Sequence, residues 1–312
     1  MSDPFKFQAE YRETKADKEI GAISNSQYTV RGDSVYMAVG KTVSHLPSGI
    51  YQVQVGFMGP VFNKIEIKSD ELIDIPGSAA EQIFSDMSSF YEKREEYKKA
   101  GFVHKRGYLL EGKPGGGKTS IVLLLAKKVV ATGGLVFITG SYVSALQSAL
   151  DVMKTTEKDR MLMFIMEDIE ELAYNNESLL LSILDGEHTL AENVLFVATT
   201  NKIENLEPRI RARPGRFDVV KTMNEIVPEV RFNYAQTVLK RIVPADQLEK
   251  AAMEITEHSA GLALAHLKEV IVSAYILKQE TVPQACTRLL TAIKEAEKRE
   301  NDDENDDEDD DE

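Results

Sequence analysis

Residues 112–119 read Gly-Lys-Pro-Gly-Gly-Gly-Lys-Thr, with four residues between the first glycine and a Gly-Lys-Thr triplet. That spacing is the pattern of a phosphate cradle. Gly112, Gly115, Gly116 and Gly117 let the backbone wrap closely round a β-phosphate, where a Cβ would clash or forbid the dihedrals. Lys118 supplies a point charge for the β- and γ-phosphates, and the Thr119 hydroxyl is placed to ligate Mg²⁺. Pro114 within the run and Ser120 just after it count with the nucleotide-contacting residues. An apolar strand at 108–110 leads in and a long apolar helix at 119–132 leads out, so backbone N–H groups and a helix N-terminus would face one anion. A glycine-rich turn that binds nothing is the competing explanation, and the flanking strand and helix argue against it.

A second group of residues has the chemistry to complement the first. The apolar run 161–166 ends in Glu167-Asp168-Ile169-Glu170, as a buried strand must if it is to bring carboxylates to a Mg²⁺ and an attacking water. One carboxylate can hold the water shell of the metal while the next orients or deprotonates the water. The run 194–200 ends at Asn201, whose amide can bond the γ-phosphate or that water. Alone, each would be a solvated strand end or a turn-forming Asn. Residues 211–218, Arg-Ala-Arg-Pro-Gly-Arg-Phe-Asp, begin eleven residues after that run.

Positioning these groups requires strands alternating with helices. Apolar runs at 108–110, 135–139, 161–166, 194–200 and 219–223 are separated by helical stretches, which predicts an α/β fold, a parallel sheet covered on both faces. Before it, residues 1–75 alternate apolar and polar side chains around Tyr51, Val53, Val55 and Phe57 and read as a separate β-rich N-terminal domain. Residues 76–227 form the α/β core with a leading helix, 228–299 a helical lid broken near Pro244 and Gly261, and 300–312 a tail. Net charge is −14, but eleven carboxylates and no base fall in 300–312, so the rest carries only −3. Such a run of like charge predicts disorder. A nearly neutral body without interleaved basic and aromatic residues argues against nonspecific nucleic-acid binding.

The polar N-terminus and the lack of any apolar run of membrane length predict a soluble, cytoplasmic protein without a membrane span. The single cysteine, Cys286, reads as a buried core thiol. His45, His104, His188 and His258 lack zinc-ligand spacing.

Taken together, these motifs resemble the AAA family of ATPases over roughly residues 100–275. The resemblance rests on Arg106-Gly107-Tyr108-Leu109-Leu110, the P-loop, the acid pair, Asn201 and Arg213-Pro214-Gly215-Arg216-Phe217-Asp218. Within the family, YLLEGKPGGGKTS and the Glu-Asp order are similar to the mitochondrial chaperone branch that moves a folded Rieske protein. The resemblance implies ATP and Mg²⁺ as ligands, Glu167 beside the metal, Asp168 as the base and Asn201 as the sensor residue. The usual acid order is reversed here. Arg213 and Arg216 match arginine fingers that reach a neighbouring subunit's γ-phosphate, and the resemblance implies a ring, a hexamer by family, acting on an unidentified protein cargo. His104 falls near the adenine, and Gly261 and Ala265 match a lid stretch lying over the nucleotide. His266 stands where that stretch carries Asp.

One departure bears on mechanism. Residues 140–154 hold no aromatic-x-Gly of the kind that unfolding enzymes use to thread polypeptide, and Tyr142 reads as a helix-packing residue. Movement of a folded cargo fits better than threading. An ATP-dependent switch or scaffold with little turnover, and a DNA-transaction ATPase, are the alternatives.

Overall fold

The run 194–200 has every residue buried, which is what a strand covered on both faces demands. A computed structural model describes residues 27–31, 35–39, 42–56, 59–66, 75–186, 192–211, 213, 215–223 and 226–309. In chain order the elements are β1 (Gln27–Arg31), β2 (Val35–Val39), β3 (Gly49–Gly56), β4 (Gly59–Ile65), α1 (Ala79–Glu92), α2 (Arg94–Ala100), β5 (Lys105–Glu111) and α3 (Lys118–Ala131). They continue with β6 (Leu135–Ile138), α4 (Val143–Thr156), β7 (Leu162–Met166), α5 (Ile169–Asp185), β8 (Val194–Thr200), α6 (Pro208–Arg211) and β9 (Val219–Thr222). The last four are α7 (Pro228–Leu239), α8 (Ala245–His258), α9 (Leu264–Ile271) and α10 (Val282–Asp309).

Seven strands form one sheet in the order β4-β3-β6-β7-β8-β5-β9. The pairs β3–β6, β6–β7 and β7–β8 are parallel, and β3–β4 is antiparallel. β1 and β2 pair separately as an antiparallel ribbon. The described residues divide into two compact units. The first holds those up to 66 with 86–110 and 122–221; the second holds 75–85, 111–121 and 222–309.

The register of the first unit lines up Tyr51, Phe137, Phe164 and Phe196 across four strands. Successive ring centroids lie 6.1, 5.0 and 6.1 Å apart. This row shares a core with Val143, Leu146 and Leu150 of α4 and Ile169, Leu172 and Ile183 of α5. On the opposite face Val136, Met163, Ile165, Leu195 and Val197 are equally buried. Both faces of the sheet are therefore covered, as the strand–helix alternation predicts.

The expected N-terminal β domain is corrected by this pairing. β3 lies parallel to β6, with Tyr51 opposite Phe137, so residues 49–65 belong to the core sheet. Its alternating burial, with Tyr51 and Val53 inward, is equally what the margin of a larger sheet requires. Polar ties secure the approach to β3. Arg160 donates to the carbonyls of Gly133 and Leu46 and to Ser48 Oγ, while the buried Glu157 accepts from Leu46 N at 2.8 Å.

In the second unit α7, α8, α9 and α10 close round Tyr234, Leu239, Ile255, Leu267, Ile271 and Cys286, and Ile75 joins this core. Pro228 opens α7 at a position where a missing N–H costs nothing. Pro244 caps α8, and Gly261 at φ 82° lies in the turn before α9. Burial pushes the Cys286 thiol up to about 11, as expected of a core cysteine. α10 is described as far as Asp309, so helix extends into the acidic run read from sequence as a disordered tail. Extension of an existing helix needs no new nucleus, which offsets part of the charge repulsion.

Candidate functional site

β5 runs directly into the P-loop, and the loop's glycines sit in the second unit against their own neighbours. Gly112 has φ 148°, and a Cβ there would lie 3.1 Å from the Met223 backbone. Gly117 has φ 88°, and its Cβ would meet Leu264 at 3.1 Å. Both positions therefore exclude side chains by conformation and by space. A Cβ on Gly115 would come within 3.8 Å of Ala263 and Ala265 of the lid, and one on Gly116 would lie 3.1 Å from Met223 O; Gly116 N donates to Lys113 O at 3.2 Å. The Lys118 side chain is buried, donating to the carbonyls of Gly112 and of Lys113, the latter at 3.1 Å. Thr119 and Ser120 are exposed in the first turn of α3, and Pro114 is exposed in the loop.

Of the two lid residues matched by resemblance, Ala265 approaches the P-loop. A Cβ on Gly261 would instead meet Leu290, at 3.6 Å. His266 uses Nδ1 to accept from Ala263 N at 3.2 Å, closing the start of α9, which is an ordinary helix-end role.

In the first unit the acids and Asn201 converge. Asp168 follows β7 and caps α5 with φ 48° and ψ 60°, a left-handed conformation that Asp tolerates better than most residues. Its N–H donates to Thr199 Oγ1 at 3.2 Å. Asn201 Nδ2 donates to Asp168 Oδ1 at 2.9 Å, and Asn201 N donates to Glu170 Oε1 at 3.3 Å. Glu167 is exposed. A carboxylate locked at a strained residue by an amide from the next strand is an arrangement that fixes the direction of a proton acceptor.

The two arginines behave differently. Arg216 is 4% exposed and chelates Asp185, with Nε to Oδ1 and Nη2 to Oδ2 both at 2.7 Å; Nη1 donates to Arg209 O. Its guanidinium, expected from the motif to serve as a finger, is here paired with Asp185. Local spacing does not report which arginine is buried. Arg213 is largely exposed and only touches Asp185 at 3.4 Å. Pro214 between them lies outside the described residues, as does His188. The Arg216 hydrogen bonds hold the Asp185 carboxyl below the usual carboxylate range. The stability they contribute is complete above that range and is lost as pH falls through the lowered value.

This contrast gives a direct expectation. Arg216→Ala should destabilise the protein by about 3 kcal/mol by stranding a partly buried carboxylate, whereas Arg213→Ala should change stability by less than about 0.5 kcal/mol. Urea unfolding of both variants checks it.

His104, expected near the adenine, has its ring buried and stacked on Phe90 at 3.9 Å, with Nδ1 at 2.8 Å from Asn193 Oδ1 and Nε2 at 2.9 Å from Phe90 O. Both ring nitrogens are thus engaged within the first unit. Tyr142, read as a packing residue, is 71% exposed at the start of α4.

Sequence reasoning missed two participants. Met223 floors the P-loop, with its N–H donating to Glu111 O at 2.7 Å. Leu264 lies where a Cβ on Gly117 would meet it, and Glu170, which the motif gives a supporting role, accepts from Asn201 N. The first is invisible locally because it depends on strand pairing far along the chain. The acid at 170 carried a signal, its place in the Glu-Asp-Ile-Glu run. Among the described residues no cluster of three or more His, Cys, Asp or Glu could hold a metal by itself, and no helix is long and apolar enough to cross a membrane.

Comparison with known proteins adds independent findings. Residues 108–224 match the family model described as ATPase family associated with various cellular activities (AAA). The chain is 26% identical over 236 residues to AAA-ATPase At3g28600 of Arabidopsis thaliana, covering 61% of this chain and 49% of that protein. It is 30% identical over 157 residues to Mitochondrial chaperone BCS1 of Homo sapiens, covering 45% and 36%. With ATP-dependent zinc metalloprotease FtsH of Helicobacter pylori it shares 27% identity over 248 residues, covering 69% and 38%. The chain spans about half or less of the length of these relatives.

Proposed function

We propose, because the chain belongs to the AAA ATPase family through residues 108–224, that it hydrolyses ATP at subunit interfaces of a ring and uses the energy to remodel or move a protein cargo. The observation that carries the hydrolytic reading is the Asp168–Asn201 hydrogen bond at a left-handed Asp168. Asp168 is the acceptor for the proton of the attacking water, and Asn201 holds it in direction. Lys118 exchanges the carbonyls of Gly112 and Lys113 for phosphate oxygens. The backbone N–H groups of the P-loop bind the β-phosphate without side chains in the way.

Mg²⁺, when bound with the nucleotide, neutralises charge on the β- and γ-phosphates. Thr119 and Glu167 offer the hard oxygen donors that suit it, and the absence of an all-protein cage among the described residues agrees with a cation that takes phosphates and waters as its other ligands. Arg213, exposed and only loosely paired, is the arginine for a neighbour's γ-phosphate. Such a finger contributes about 10³ to 10⁵ in rate in comparable systems. A hexameric ring follows the family habit, and the relatives named as mitochondrial chaperones support a protein as cargo.

The test is phosphate release by purified protein with and without Mg²⁺ across a range of protein concentrations. Specific activity should rise with concentration, and Arg213→Ala should bind ATP normally yet lose that rise. Lys118→Ala should weaken nucleotide binding about 30-fold or more, since it removes a charge-assisted contact from a buried position. Titration with a fluorescent ATP analogue measures this. The reversed order of Glu167 and Asp168 favours a second reading, ATP-driven assembly with negligible turnover. No Mg²⁺-dependent release at any concentration would decide for that reading.

A further inference from the structure

Glu170 lies in the first turn of α5, two residues after Asp168, and its carboxylate is divided between two environments. Oε1 accepts the backbone N–H of Asn201 at 3.3 Å. Oε2 is buried and has no hydrogen-bond partner among the described residues. An acid near a helix N-terminus is ordinarily explained by the helix dipole, and that explanation asks only for an exposed carboxylate. Here one oxygen is withdrawn from water without a partner, which costs about 1–3 kcal/mol.

Asn201 is the last point at which β8 can influence Asp168. The strand ends at Thr200, and beyond it the chain turns through Lys202 into the short 3₁₀ turn Ile203–Asn205. An exposed residue just past a strand end is free to swing unless its backbone is fastened. The fastening on the α5 side is Glu170. Thr199 holds Asp168 by its N–H, Asn201 holds Asp168 by Oδ1, and Glu170 holds Asn201 by its N–H. The three bonds close a loop between the start of α5 and the end of β8.

We infer that Glu170 is the positioning residue for the Asp168–Asn201 pair, acting as a hydrogen-bond acceptor rather than through its charge. Its role deepens the hydrolytic reading above and rests on that reading for its consequence in turnover. It acts through Asn201. Without it Asn201 loses its backbone bond to α5, the amide drifts from Asp168, and the acid keeps its chemistry but loses its aim. Misplacement on the scale of 1 Å is enough for about a 10²-fold loss in rate.

Two variants separate acceptor from charge. Glu170→Ala removes both; Glu170→Gln keeps an acceptor oxygen and discards the charge. In single-turnover assays of the full chain, Glu170→Ala should lower the hydrolytic step about 100-fold with nucleotide affinity within about threefold. Glu170→Gln should recover at least tenfold of that loss. A Gln variant as slow as the Ala variant would overturn the inference, because charge would then be what matters. So would a Glu170→Ala variant with wild-type turnover, or one whose loss lies in nucleotide affinity.

A second measurement stands apart from turnover. In protein labelled with ¹⁵N at asparagine, with the Asn201 signals assigned by their loss in Asn201→Ala, Glu170→Ala should speed hydrogen exchange of the Asn201 backbone amide and shift its side-chain amide. Glu170→Gln should do neither to a comparable degree. Unmoved Asn201 signals in Glu170→Ala would sink the inference even if the wild-type protein hydrolyses no ATP. Moved signals in a protein without turnover would instead sink the hydrolytic reading and leave the anchoring intact.

Discussion

Asp168→Asn should bind ATP within about threefold of the wild type and hydrolyse it about 10³-fold more slowly, near the middle of the range a general base contributes. The substitution isolates basicity. Asparagine is nearly isosteric with aspartate and enters the left-handed region as readily, so φ 48° is kept at little cost. Its side-chain oxygen can still accept from Asn201 Nδ2, and its N–H still reaches Thr199 Oγ1. The ability to take a proton from water is what disappears. Asp168→Ala would be a poorer probe, since alanine at that dihedral costs roughly 1–2 kcal/mol and deletes the hydrogen bond. Equilibrium nucleotide binding, single-turnover hydrolysis and a thermal melt together check the prediction. Turnover within tenfold of the wild type, in a folded and nucleotide-binding protein, would move the role of base away from Asp168 and toward Glu167.

Gly107→Ala should be the most damaging small substitution in the first unit. A Cβ on Gly107 would stand 1.9 Å from Arg216 O, 2.9 Å from Arg216 C and 3.0 Å from Phe217 Cα. All three are backbone atoms, so no side chain can rotate aside. The close approach is what allows Gly107 N to donate to Asp218 Oδ2 at 3.0 Å and Asp218 N to donate to Gly107 O at 2.9 Å. Separating the segments would break both bonds and disturb the chelation of Asp185 by Arg216. A loss of roughly 3 kcal/mol or more is expected, the upper range for an overpacked site. A fall in the urea midpoint at unchanged m-value reads it. A shift below about 0.5 kcal/mol would mean that the 216–218 segment is not seated on β5 in solution.

The strands, and the placing of the acids at a strand end, were legible because their signals are local. The run 194–200 is apolar enough to require burial on both faces, and the structure makes it β8 over the same residues. Residues 112–119 carry their own chemistry, and the spacing predicts the loop between strand and helix that is found. The misreadings share a different cause. β3 alternates inward and outward side chains whether it belongs to a small domain or to the margin of a large sheet, and its parallel partner β6 lies far along the chain. Arg213 and Arg216 are three residues apart in one motif, yet one is a buried ligand of Asp185 and the other faces solvent. His104 sits where a nucleotide contact was expected, but Phe90 and Asn193, which occupy its ring, come from distant segments. Residue type reports what a side chain can do; only packing decides which of its atoms are free to do it.

The aromatic row across β3, β6, β7 and β8 also imposes a timetable. Tyr51 leaves the ribosome before any of the three rings it lines up with, and its neighbour Phe137 follows roughly 85 residues later, about 4–17 s at ordinary synthesis rates. Throughout that interval the β3–β4 hairpin has its antiparallel bonds but neither a parallel partner nor a covering core. A two-stranded hairpin in that position is marginal at best. The nascent chain is therefore expected to need shelter early in synthesis, and slowing translation ahead of β6 should lengthen the exposure and lower the yield of soluble protein.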